Sequence, residues 1–208
     1  MRKKWTLISV LVLAVAVLTA GIWAYFSSQG RADSVITLGS VRLALHNENS
    51  AGEPAGDVAV MPGSNAAQTA FVENTGDSAF YTRIKLELEA FDSSGAAIQL
   101  PAGLVTLDLN QTDWTPGADG YFYYNDTVAP GDATTALFET VRFSNTMDDS
   151  YLGVSLHLRL TAEAVQTRNL EQYAQNGKTV GVWQVAGPAA SAETETQITA
   201  QHAGKGGA

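Results

Sequence analysis

The chain has 208 residues, a formal charge of −9 and no cysteine. The missing thiol excludes disulfides, thiol catalysis and cysteine-ligated zinc. The acidic balance argues against nucleic acid or anionic lipid as a partner, because both need clustered Lys or Arg.

The first element is a targeting segment. Arg2, Lys3 and Lys4 precede an apolar run from Leu7 to Leu18, which Gly21 ends. A basic start, a short apolar core and a small residue at its end are the parts of a secretory signal peptide, handled by a signal peptidase during export. The segment 1–24 is therefore expected to be cut between Ala24 and Tyr25, with Ala20 and Ala32 as competing positions. An uncleaved anchor is the alternative, since Trp5 to Ala24 is about the ~20 residues that a spanning helix needs. Cleavage takes the formal charge from −9 to −12 and confines membrane contact to the precursor.

The mature part reads as strands. Val35-Ile36-Thr37-Leu38 and Val41 to His46 are short β-rich runs parted by Gly39-Ser40. A polar loop from Asn47 to Asp57 leads into Val58 to Met61 and a Pro62-Gly63 turn. Gln68 to Val72 is a further strand, and Asn74-Thr75-Gly76-Asp77 behind it predicts a hairpin turn. Between Ala79 and Phe91, Phe80, Ile84, Leu86 and Leu88 alternate with Arg83, Lys85, Glu87 and Glu89. Period two with one charged face marks a half-solvated antiparallel strand.

Val105, Leu107 and Leu109 alternate in the next strand. Trp114 and Tyr121 to Tyr124 flank Thr115-Pro116-Gly117, and a second Pro-Gly turn sits at Pro130-Gly131. Thr134 to Phe143 follows, with Leu137, Val141 and Phe143 on one side. In Gly153 to Val165 the run Val154, Leu156, Leu158, Leu160, Ala162 and Ala164 forms one apolar face. A short helix is expected near Asn169 to Gln175. Eight or nine strands divided by Gly, Pro and Asn turns predict an all-β, antiparallel sandwich or jelly roll spanning 25–185, behind an N-terminal signal helix. The tail 186–208 holds only one large apolar residue after Val185, Ile198, and is expected to stay disordered.

Several of these segments together resemble one group of exported proteins. Trp23-Ala24-Tyr25-Phe26-Ser27 resembles the signal junction of proteins with SipW-type signal peptides. Val35 to Val41 resembles the first mature strands of the TasA/camelysin-like biofilm matrix family. Met61-Pro62-Gly63 with Val72-Glu73-Asn74-Thr75-Gly76 is similar to its "PG … NTG" segment. Gly120 to Tyr124, Ala129-Pro130-Gly131 and Ala162 to Gln166 resemble its second half, and Trp183 a late tryptophan. The resemblance covers about residues 1–183 and implies a jelly-roll domain outside the cell. It also implies assembly into fibres, with itself or a related matrix protein, by a freed N-terminal strand that completes the next subunit. The donor candidate here runs from Tyr25 to Leu38, led by Tyr25 and Phe26 and followed by Val35, Ile36 and Leu38. The alternative is that Val35 to Leu38 is the domain's own first strand.

His46, His157 and His202 are the only histidines, and none has the two-His spacing of a zinc-protease helix. No Gly-x-Ser-x-Gly elbow or phosphate loop is present. Asp113, Asp119, Asp126, Asp132, Asp148 and Asp149 lack the spacing of a calcium loop and read as solubilising turn residues. No enzyme activity and no cofactor is expected. Tyr121 and Tyr123 share one strand face. Exposed, they would stack on sugar or on a neighbouring protein, the mark of a binding module for glycan or protein. Covered, they are core.

Overall fold

The computed structural model describes residues 40–55, 58–175 and 178–200. The cleavage seam and the donor candidate, Ala24 to Leu38, lie outside these residues, as does the expected signal helix. Eleven strands are present among the described residues: β1 Leu43–Glu48, β2 Val58–Val60, β3 Asn65–Asn74, β4 Phe80–Phe91, β5 Ala97–Ile98, β6 Val105–Leu107, β7 Trp114–Pro116, β8 Tyr121–Tyr124, β9 Phe138–Phe143, β10 Ser155–Gln166 and β11 Ala190–Ala200. Among the described residues the helices are single 3-10 segments, and none is long and apolar enough to cross a membrane. The expected helix near Asn169 is one such turn, Glu171–Tyr173.

The strands form a β-sandwich. One sheet runs β1-β3-β9-β6; the other runs β2-β11-β10-β4-β8-β7, with β5 on the far end of β4. All pairs are antiparallel except β11 with β2. The alternation read from the sequence sets which face turns inward. On β4, Phe80, Thr82, Ile84 and Ala90 are buried, while Arg83, Lys85 and Glu87 lie on the outer face. On β10 the inward set is Leu156, Leu158, Leu160, Ala162 and Ala164. These meet Val72, Phe138, Val141 and Phe143 from the opposite sheet in one continuous core. Trp114, fully buried in this core, donates its indole N–H to the Thr135 carbonyl at 3.2 Å.

Two expectations change. Asn74 to Asp77 is not a hairpin turn, because β3 and β4 belong to different sheets. Asn74 makes the corner: its side-chain amide donates to the carbonyls of Ser78 and Val128, and its Oδ1 accepts the Gly76 N–H at 2.9 Å. Gly76 is required because a Cβ there would sit 2.3 Å from the Ser40 carbonyl oxygen. Nor is the tail beyond Val185 wholly disordered. Residues 190–200 form β11, ten of them in register against β10 from Ser155↔Thr199 to Ala164↔Ala190. Composition misled because β11 gains order from backbone hydrogen bonds to a long apolar neighbour, so Ala192, Thr194 and Thr196 suffice on its inner face. The domain therefore extends past residue 185 to at least Ala200.

Candidate strand-acceptor site

The two long sides of the sandwich differ. On one side β1 lies over β11, and Asn47 Nδ2 donates to Thr196 Oγ1 across the sheets at 2.9 Å in a buried setting. On the other side the second sheet is interrupted. β8 pairs with β4 only at Arg83, Ile84 and Lys85. β5 pairs with it only at Ala90 and Phe91. Among the described residues, Leu86, Glu87, Leu88 and Glu89 have no strand partner on that side, although β10 pairs with all four on the other.

The direction of the free groups follows from the flanking bonds. Phe80 exchanges both backbone hydrogen bonds with Val128, and the Asp92 N–H donates to the Ala96 carbonyl. Even-numbered residues of β4 therefore aim N–H and C=O toward the interruption. Odd-numbered ones face β10, as the bond from Thr167 N–H to the Ala79 carbonyl requires. The N–H and C=O of Leu86 and Leu88 thus open sideways, while their side chains turn inward. The gap spans four residues, about 13 Å at ~3.3 Å per residue.

This gap adjoins a cleft of about 650 Å³ lined by Leu88, Phe91, Ile98, Leu100, Pro101 and Val105, among others. Leu86, Leu88, Ile98, Leu100, Val105 and Leu107 are all only partly buried and pack against the core's margin. The sheets therefore part here, with apolar side chains above and below and unpaired backbone between. An added strand could hydrogen-bond to Leu86 and Leu88 and drop alternate side chains between the sheets. Sequence reasoning put Leu86 and Leu88 on the inner face but missed the gap. Its signal was Pro101-Ala102-Gly103, which cuts short the strand that would otherwise have run on beside β4.

The aromatic pair stands elsewhere, on the outer face of the seven-stranded sheet. Tyr123 is only 3% exposed, so the two tyrosines are not an open patch. Arg83 lies across them, its guanidinium carbon 3.8 Å from the Tyr121 ring centre and 4.3 Å from that of Trp183. Arg83 donates to Glu163 Oε2 through Nε and Nη2 at 2.8 and 2.6 Å, and through Nη1 to the Tyr123 hydroxyl at 3.2 Å. Tyr123 donates in turn to Asp119 at 2.6 Å. Burial would lower the Arg83 pKa, but the bonds to Glu163 and Tyr123 outweigh it and raise the value. Burial lifts both tyrosine hydroxyls above their usual range, helped by the charge of Glu163 at Tyr121 and by the bond to Asp119 at Tyr123. The cover comes from the 3-10 segment Val180–Gln184, which carries Trp183 and buries Val182 against Tyr81 and Val165.

His46 and His157, the two histidines among the described residues, lie on different sheets. His46 stacks on Phe71 with ring centres 4.6 Å apart and contacts Glu48 and Glu73 at 3.0 Å each. His157 contacts Glu195 at 2.6 Å on the outer face of β10. Among the described residues no three His, Asp or Glu side chains converge as metal ligands would. The Asp-rich turns engage their own surroundings: Asp113 Oδ2 accepts from Asn110 Nδ2 and Thr135 Oγ1.

No family model and no curated protein matches the chain. Solved structures do. One is the ASH/PapD-like domain 7 of human CEP192, with TM-score 0.42, 7% identity, and 84% of this chain and 95% of that one covered. Another is a type III cohesin module of the cell-surface anchoring scaffoldin ScaE of Ruminococcus flavefaciens, with TM-score 0.32, 14% identity, and coverage of 83% and 94%. A third is a chain of a type I cohesin–dockerin complex from Clostridium thermocellum, with TM-score 0.33, 9% identity, and coverage of 76% and 98%. Scores this low carry no functional argument, and the sandwich rests on the chain's own strand order.

Proposed function

We propose that this chain is an exported structural subunit of the extracellular matrix or cell surface, which associates by adding its N-terminal segment to the β4 interruption of the next copy. The observation that carries the reading is the four-residue gap at Leu86–Glu89 beside an apolar cleft. The sequence supplies a matching occupant. Val35-Ile36-Thr37-Leu38 has the length of the gap, a β-branched run at its start, and no charge. In the precursor this segment lies close behind the apolar run; once Ala24 is the cut, Tyr25 onward becomes a free end able to reach a neighbour. Addition of one copy's end to the next copy's side is head-to-tail, and such contacts grow filaments when the rotation does not close a ring.

The test is electron microscopy and sedimentation of protein beginning at Tyr25, beside protein beginning at Gly39. The first should form filaments. The second should keep its β circular dichroism and remain monomeric. Monomers from both, at high concentration, would refute the assembly.

A further inference from the structure

Among the described residues, one strand of this domain, β11, has a single partner along nearly its whole length. β11 is the last strand among the described residues. Among the described residues, β2 pairs only with Ile198, Thr199 and Ala200, so residues 190–197 have a strand partner on the β10 side alone. Its inner face offers Ala190, Ala192, Thr194, Thr196 and Ile198, of which only Thr196 and Ile198 are fully buried. The facing residues of β10 include three leucines. Apolar contact therefore anchors β11 at one end only. Its outer pins are contacts of Arg159 with Glu193 and Glu195, both at 3.2 Å, and of His157 with Glu195 at 2.6 Å, on side chains partly open to solvent where salt screens charge pairs.

The connection to β11 is equally specific. β10 and β11 are adjacent and antiparallel, yet residues 167–189 intervene where a tight hairpin would need two to five. Among the described residues, this excursion docks through one cluster. Trp183 stacks on Arg83, Val182 fills the pocket beside Tyr81 and Val165, and Thr179 donates to the Tyr124 carbonyl at 2.8 Å. The Trp183 indole N–H is buried without a hydrogen-bond partner among the described residues, so the dock carries a cost of its own. Beyond it, Gly187 and Pro188 are exposed, and Gly187 has open space around it.

We propose that β11 exchanges between copies: residues 190–200 of one chain take the place of the same residues on β10 of another, and the Arg83–Trp183 stack sets how readily they are released. The partner is a second copy because the position is shaped by this sequence, in the register already present. Long connections with an exposed Gly-Pro let such a strand reach a neighbour without new contacts. The exchange is independent of N-terminal addition at β4 and would link subunits through the opposite margin of the same sheet.

The absence of native cysteine permits a clean trap. On β10, even-numbered residues aim their backbone groups at β11, so Thr161↔Glu193 is a non-hydrogen-bonded pair with side chains close together. Protein from Tyr25 onward carrying Thr161→Cys is mixed with isotope-labelled protein carrying Glu193→Cys, then oxidised. Both carry Ile36→Ser and Leu38→Ser, so that contact between copies made by N-terminal addition cannot masquerade as exchange. Exchange yields a mixed-mass disulfide dimer well above the yield of the unmatched pair Thr161→Cys with Gln197→Cys. Adding Trp183→Ala should speed its appearance by tenfold or more. A single chain carrying both matched cysteines must close internally; if it does not, His157→Cys with Gln197→Cys replaces the pair. Equal yields from matched and unmatched mixtures overturn the proposal. So does a matched dimer whose rate ignores Trp183→Ala, since the stack would then not govern release.

Discussion

Replacing Ile36 and Leu38 together by serine tests the N-terminal addition without touching the described domain. The β4 gap admits four residues, and in an added strand alternate side chains fall between the sheets. Ile36 and Leu38 share that parity and are the larger pair. They would lie beside Leu86 and Leu88, against Val105 of the facing sheet, where the cleft offers about 650 Å³. Burying an aliphatic side chain of this size is worth about 1.5–3 kcal/mol, so the double replacement removes roughly 3–6 kcal/mol from each subunit contact. At about 1.4 kcal/mol per tenfold, the critical concentration for assembly should rise by roughly 10²–10⁴. The backbone bonds to Leu86 and Leu88 stay available, so short oligomers should persist at the highest concentrations. Pelleting assays across a dilution series measure the critical concentration, and thermal melts monitor the domain. A critical concentration unchanged within about threefold would refute the placement of these side chains. A lowered melting temperature of the monomer would instead show that Val35 to Leu38 completes its own domain.

Two further outcomes follow from the same geometry, and a third from the sequence of the export segment. Gly76→Ala should lower stability by about 1–3 kcal/mol, because the new methyl meets the Ser40 carbonyl oxygen at 2.3 Å and the Arg42 nitrogen at 2.7 Å; denaturant melts read it directly. Asp119 should show a one-sided pH effect. Burial pushes its carboxyl up, but the bonds from Tyr123 and from the Tyr121 N–H, with Arg83 nearby, hold it below the ordinary 3.8. A depressed folded value means that the stabilisation is complete above 3.8 and is lost as pH falls through the folded value. The stability difference between the wild-type chain and Asp119→Asn should thus be present at neutral pH and vanish in acid, and a constant difference across the range would contradict it. Intact-mass measurement of exported protein should give an N-terminus at Tyr25; a start after Ala20 or Ala32 would move the seam.

Much of the architecture was legible because strand alternation is a local property. Phe80 to Phe91 and Gly153 to Val165 declare their inner faces residue by residue, and the structure pairs these two strands at the centre of the larger sheet. What stayed hidden depends on partners distant in sequence. Asn74-Thr75-Gly76 has the composition of a hairpin turn, but only the position of Val128, which Asn74 bonds, makes it a corner between sheets. β11 reads as a polar tail because its order comes from β10. The sequence leaves Tyr121 and Tyr123 open to either reading, exposed or covered, because their cover comes from Trp183, sixty residues on, which closes over Arg83. The acceptor gap is hardest of all to read, since it is a break between two short strands and has no motif of its own.

The most direct measurement of the account is residue-resolved hydrogen exchange along β4, in monomer and in assembled protein from Tyr25 onward. Glu87 and Glu89 bond to β10 in both states, so their amides should be slow throughout. Leu86 and Leu88 open toward the gap, so theirs should exchange quickly in the monomer and slow by orders of magnitude on assembly. Fast exchange at Leu86 and Leu88 in assembled protein would contradict the claim that this interruption receives the added strand.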